Sequence, residues 1–69
     1  MLVKLVCVRE PEIEEDREFE EVLINSDKIV AVDQRNIDGF SYCHVQLVEG
    51  HFINIAYSLD TLHDLCNGI

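Results

Sequence analysis

The chain has 69 residues, 48 % of them apolar, and a formal net charge of −9. Apolar content at that level argues for a packed chain despite the charge, and the size allows one domain, residues 1–69, that buries about 60 % of its unfolded surface. The negative excess argues against direct binding of phosphate backbones or of anionic membrane surfaces.

Cys7, Cys43 and Cys66 cannot all pair within one chain. Met1 leads straight into strand-like sequence, without the charged segment and apolar stretch of a secretion signal. The expectation is reduced thiols and a cytoplasmic location. No apolar run approaches the roughly 18 residues needed to cross a bilayer.

The first segment, LVKLVCV at residues 2–8, alternates as a strand does and offers Val3, Leu5 and Cys7 as its cleaner core face. It is followed by EPEIEEDREFEE, residues 10–21, with eight carboxylates against Arg17 alone and a net charge of −7. The rest of the chain sets six acids against Lys4, Arg9, Lys28 and Arg35, a net −2. Self-repulsion predicts a solvated loop over 10–21. A short helix is the alternative, since Pro11 suits a first helical position and acids suit a first turn, although Ile13, Phe19, Val22 and Leu23 fill an apolar stripe only in part.

Residues 19–34, FEEVLINSDKIVAVDQ, are expected as two strands, 19–24 and 28–34, hinged at the turn formers Asn25, Ser26 and Asp27. NIDG at 36–39 reads as a turn with Gly39 at positive φ. Residues 42–57 read as a hairpin whose register follows from parity. A two-residue Glu49-Gly50 turn would set His44 against Ile55 and mix the faces. A three-residue loop, Val48-Glu49-Gly50, built as a type I turn with Gly50 left-handed, sets Val45 opposite Ile53 and Cys43 opposite Ile55, and sends His44 and Gln46 outward.

In the last segment, SLDTLHDLCNGI, Ser58 is a helix N-cap, Asp60 favours the dipole from the first turn, and Gly68 stands at the C-cap. Leu59, Leu62, Leu65 and Cys66 share a face at helical spacing, leaving Thr61, His63, Asp64 and Asn67 to solvent. So short a helix must dock to be stable. The expected fold is α+β: a small curved antiparallel sheet of four or five strands with one C-terminal helix, rolled toward a barrel. Its predicted core is Val3, Leu5, Cys7, Ile29, Val45, Leu47, Ile53, Ile55, Leu62 and Leu65, and a homodimer is expected because a core this small gains from association.

Chemistry finds little purchase. A zinc site wants four convergent ligands. Cys66 and His63 lie on different sides of the helix, and Cys43 and His44 point to opposite sides of a strand. No cysteine stands beside a base or a helix N-terminus that would lower its pKa, and no pocket splits the pKa values of the carboxylates. Gly39, Gly50 and Gly68 form no phosphate loop. The expectation is therefore a non-enzymatic protein without cofactor, metal or catalytic residues. Its candidate binding residues are Ile13, Glu14, Glu15, Asp16, Glu18, Phe19, Glu20 and Glu21, in which apolar anchors stand among acids that suit a basic surface on a partner protein. Imitation of nucleic-acid charge is one form such an adaptor or inhibitor takes. The alternative is a structural subunit that self-associates through a sheet edge, with the acids limiting further edge pairing.

In this order, Ile24-Asn25, Asp27-Lys28-Ile29, the Val45/Leu47 strand, Gly50, Ile53/Ile55 and Tyr57-Ser58-Leu59, the chain resembles the FlbD family of small bacterial flagellar-operon proteins over residues 19–66. It is similar in build to short prophage proteins as well. The family's Pro-Asp-Thr turn is replaced by NIDG, and the acidic run is an insertion. The resemblance implies a small non-enzymatic protein and brings no catalytic residue with it.

Overall fold

A computed structural model describes residues 1–67. Five strands, β1 (Leu2–Arg9), β2 (Glu18–Asn25), β3 (Ile29–Ile37), β4 (Phe40–Leu47) and β5 (Phe52–Ile55), form one antiparallel sheet in the order β2-β1-β5-β4-β3, followed by helix α1 (Leu59–Cys66). This is the expected α+β build.

The sheet is two units joined at a narrow seam. β1 and β2 form a hairpin in full register, Val3 opposite Ile24 and Leu5 opposite Val22. β3, β4 and β5 form a meander. The units meet where Cys7 pairs with Ile55, and the Ala56 N–H donates to the Val6 carbonyl at 2.8 Å. Cys43 lies on the other side of Ile55, so Cys7, Ile55 and Cys43 form one row across three strands.

The hairpin register expected from parity is the one observed, with Val45 opposite Ile53 and Cys43 opposite Ile55. Its loop differs from the expected type I turn, because Glu49 (φ 68°) adopts the left-handed region as well as Gly50 (φ 80°). A type I turn keeps φ negative at both central positions.

The NIDG turn is tighter than expected. β3 runs on to Ile37, opposite Phe40, and only Asp38 (φ 49°) and Gly39 (φ 82°) make the connection. Two positive φ values match the right-handed twist of the strands they join. Near the start of β3, Ile29 is opposite Leu47 and Ala31 opposite Gln46, leaving Val30 as a bulge. That extra residue lets Ile29 and Val32, which straight alternation would set on opposite faces, both pack on the core.

All ten expected core residues lie in one cluster: Val3, Leu5, Cys7, Val45, Ile55 and Leu62 are buried, with Ile29, Leu47, Ile53 and Leu65 packed partly buried against them. Cys43, fully enclosed, joins them. The expected roll toward a barrel stops short of closure. β2 and β3 are consecutive in the chain but unpaired, and both are free edges. A tight turn, Ser26–Lys28, carries the chain from one to the other. It is tied to the residue preceding β1, where Ser26 N–H and Oγ–H both donate to the Met1 carbonyl, at 2.9 and 3.2 Å. Leu62 of α1 supplies core contact instead, and the helix start is held over β3 by the Leu59 N–H donating to Gln34 Oε1 at 2.7 Å. Ser58 caps the helix as expected, accepting from the Thr61 N–H, while Gly68 lies outside the described residues.

Candidate functional site

The acidic run 10–21, expected as a loop or a short helix, divides in two. Glu10 takes a positive φ of 51° and starts a turn, and Glu14–Asp16 form a single 3-10 turn. From Glu18 onward the chain is β2, paired residue for residue with β1. Glu18, Phe19, Glu20 and Glu21 are thus strand residues along a free edge, whereas Ile13, Glu14, Glu15 and Asp16 sit on the connection beside it.

This connection is packed rather than loose. Pro11 is buried beneath it. Arg17, the one cation of the run, donates from Nε to the Pro11 carbonyl at 2.9 Å, and its guanidinium lies 4.2 Å from the centre of the Phe40 ring. Phe40 in turn meets Phe19 edge-on at 6.2 Å and stacks on Tyr42 at 6.0 Å. Val8, opposite Phe19 in the ladder, and Tyr42 are buried but stand outside the main core. Arg17 and these aromatic rings form a clasp that fastens the end of the first hairpin to the start of β4. Removing charge from solvent at Arg17 is offset by the ring's negative face and a well-made hydrogen bond.

The clasp uses the run's own cation and leaves its acids outward. All eight carboxylates of the run are exposed. Glu20 pairs with Arg9 at 3.2 Å and Glu21 with Lys4 at 3.9 Å, on side chains more than half exposed, so each pair contributes little. Glu10, Glu12, Glu14, Glu15, Asp16 and Glu18 have no ion-pair or hydrogen-bond partner on their side chains among the described residues. Beside them Phe19 is 57 % and Ile13 45 % exposed. The eight sequence-predicted binding residues therefore lie at the hairpin end and along β2, where alternation sets Phe19 and Glu21 on one face of the strand and Glu18 and Glu20 on the other. Sequence reasoning missed Arg17, Phe40 and Tyr42, which fasten the hairpin end. The sole sequence signal was a lone Arg in an acidic run, and nothing local named its partner.

Other features carry less. A shallow, mostly apolar groove of about 240 Å³ runs between α1 and β3, bounded by Ile29, Val32, Leu62 and Cys66. The Cys66 thiol beside it is pushed above its ordinary pKa by burial, and Cys43 is pushed up by burial and then by the charge of Asp33, so neither is activated as a nucleophile. Among the described residues, no group of three or more His, Cys, Asp or Glu side chains converges in a way that could hold a metal ion, and no helix is long and apolar enough to cross a membrane. The chain matches no protein-family model, and no curated protein or solved structure is similar to it at a significant level.

Proposed function

We propose that the chain is a non-enzymatic adaptor or regulator that binds a basic surface of another protein through the hairpin end and β2. Ile13 and Phe19 act as apolar anchors within the field of Glu14, Glu15, Asp16, Glu18, Glu20 and Glu21. One observation carries this reading: six carboxylates of a net −7 segment are left without partners among the described residues, while the segment's own cation, Arg17, is engaged by Pro11 and Phe40. A surface held in shape loses less conformational freedom on binding than a mobile loop does. Segregated charge raises the rate of encounter with a basic partner and makes the complex sensitive to salt. The FlbD resemblance is in keeping with such a role, since it brings no catalytic residue.

The test is affinity capture with three baits at about 0.15 M salt: the natural chain, a variant with Glu14, Glu15, Glu18, Glu20 and Glu21 changed to Gln and Asp16 to Asn, and Ile13→Ser/Phe19→Ser. A basic protein held by the first and lost from both variants is the expected result. Capture unchanged by the six neutralisations would defeat the proposal.

A further inference from the structure

The two free edges of the sheet carry opposite instructions for self-pairing. β3 is regular from Ala31 to Ile37, bounded by the Val30 bulge on one side and the Asp38-Gly39 turn on the other. The midpoint of that stretch is Gln34. About it the charges are antisymmetric, Asp33 one position before and Arg35 one position after, so the edge is close to neutral and complementary to itself.

Parity then limits the ways two copies can pair. Residues along an edge alternate in pointing their N–H and C=O groups outward, so two identical antiparallel strands related by a two-fold must be centred on a residue rather than between two. Centring on Asp33 sets that carboxylate against its own copy, and centring on Arg35 does the same with two guanidinium groups. Centring on Gln34 sets Asp33 opposite the partner's Arg35, twice over, and uses the whole regular stretch. Opposite charges directly across a ladder stabilise it and like charges destabilise it, so the Gln34 register is selected. On β2, centring on Glu20 or Glu21 opposes glutamates, and the strand holds no cation to answer them.

We propose that the chain forms a two-fold dimer by antiparallel pairing of β3 with β3 of a second copy, centred on Gln34. Asp33 and Arg35 are ready for this arrangement. They share one face of the strand, 3.4 Å apart and exposed, while Gln34 points to the other face and holds the start of α1. The product is a continuous ten-stranded sheet with the acidic β2 edges at its two far ends. This assembly is independent of the partner reading above and stands if that reading fails.

Sedimentation from about 1 μM to about 1 mM tests it. Asp33→Arg and Arg35→Asp, both at exposed positions, each weaken dimerisation tenfold or more, because each opposes like charges. The double swap Asp33→Arg/Arg35→Asp restores it to within about threefold, since the same pairs re-form with signs exchanged, and Glu21→Lys leaves it unchanged. Circular dichroism identical to the natural chain separates lost pairing from lost folding. A monomer over the whole range overturns the proposal. So does a double swap no tighter than the single variants, or an equal loss with Glu21→Lys.

Discussion

β2 and β3 are neighbours in the chain and the two free edges of one sheet, yet they resemble each other in little else. β2 carries three glutamates, no cation and an exposed Phe19, and its start is fastened by the Arg17 clasp. β3 carries one charge of each sign, a bulge at Val30 and the docked start of α1. Unpaired strands invite unwanted association, and proteins blunt them with charge or irregularity. Here the blunting is divided. On β2 the device is charge, three glutamates without a cation, and on β3 it is irregularity, the bulge at Val30. Under the two proposals above, one small sheet separates binding to another protein from binding to itself.

The harshest way to break this comparison is to remove what both edges share. Ile55 is fully enclosed and links the two units of the sheet through its row with Cys7 and Cys43. Ile55→Ala is expected to cost about 2–5 kcal/mol, much of the stability of a domain this small. Urea unfolding followed by circular dichroism should show a collapsed midpoint, and a loss below 1 kcal/mol would mean that the units are stable apart.

A milder change should affect one edge only. Arg17→Ala removes the guanidinium from Phe40 and its hydrogen bond to Pro11, at a cost of about 1–2 kcal/mol. Amide exchange should quicken over residues 10–19 and stay unchanged over 31–37, with Arg17→Lys intermediate. Equal quickening on both edges would show that the clasp is not local.

Charge alone should matter less. Changing Glu14 and Glu15 to Gln and Asp16 to Asn relieves repulsion and should raise stability by about 0.5 kcal/mol at low salt, a gain that vanishes near 1 M. The smallest effect lies on the β3 side, in the alkaline limb. Burial and Asp33 hold the Cys43 thiol above its ordinary 9.0, so the folded chain keeps a proton that the unfolded chain loses. The stability from this proton is complete below 9.0 and is lost as pH rises from there through the folded value. The fall in urea midpoint above that pH should be shallower in Cys43→Ala, compared with that variant's own midpoint at neutral pH.

How far the sequence disclosed all this depended on the range of the interaction. Strand parity was enough to place Val45 opposite Ile53 and Cys43 opposite Ile55, and helical spacing with Ser58 was enough to place α1. Both are local patterns. The strand expected over 19–24 starts one residue earlier, at Glu18, and ends one later, because the full ladder with β1 overrides the weak strand preference of glutamate. The bulge at Val30 and the left-handed Glu49 depend on how the strands fit together. The Arg17, Phe19, Phe40 and Tyr42 clasp unites residues from two hairpins, which no periodicity within either could reveal. For the proposed binding surface, the sequence supplied the members and their charge, while the Arg17 contacts to Pro11 and Phe40 beside them came only with the fold.

The central claim is that negative potential is concentrated on the hairpin end and β2, and that β3 is close to neutral. Nuclear magnetic resonance relaxation of each amide by a cationic and an anionic paramagnetic cosolute measures that potential residue by residue. A large excess of cation effect over anion effect at residues 10–21, with near equality at 31–37, is the predicted result. A uniform excess along both edges would contradict the account.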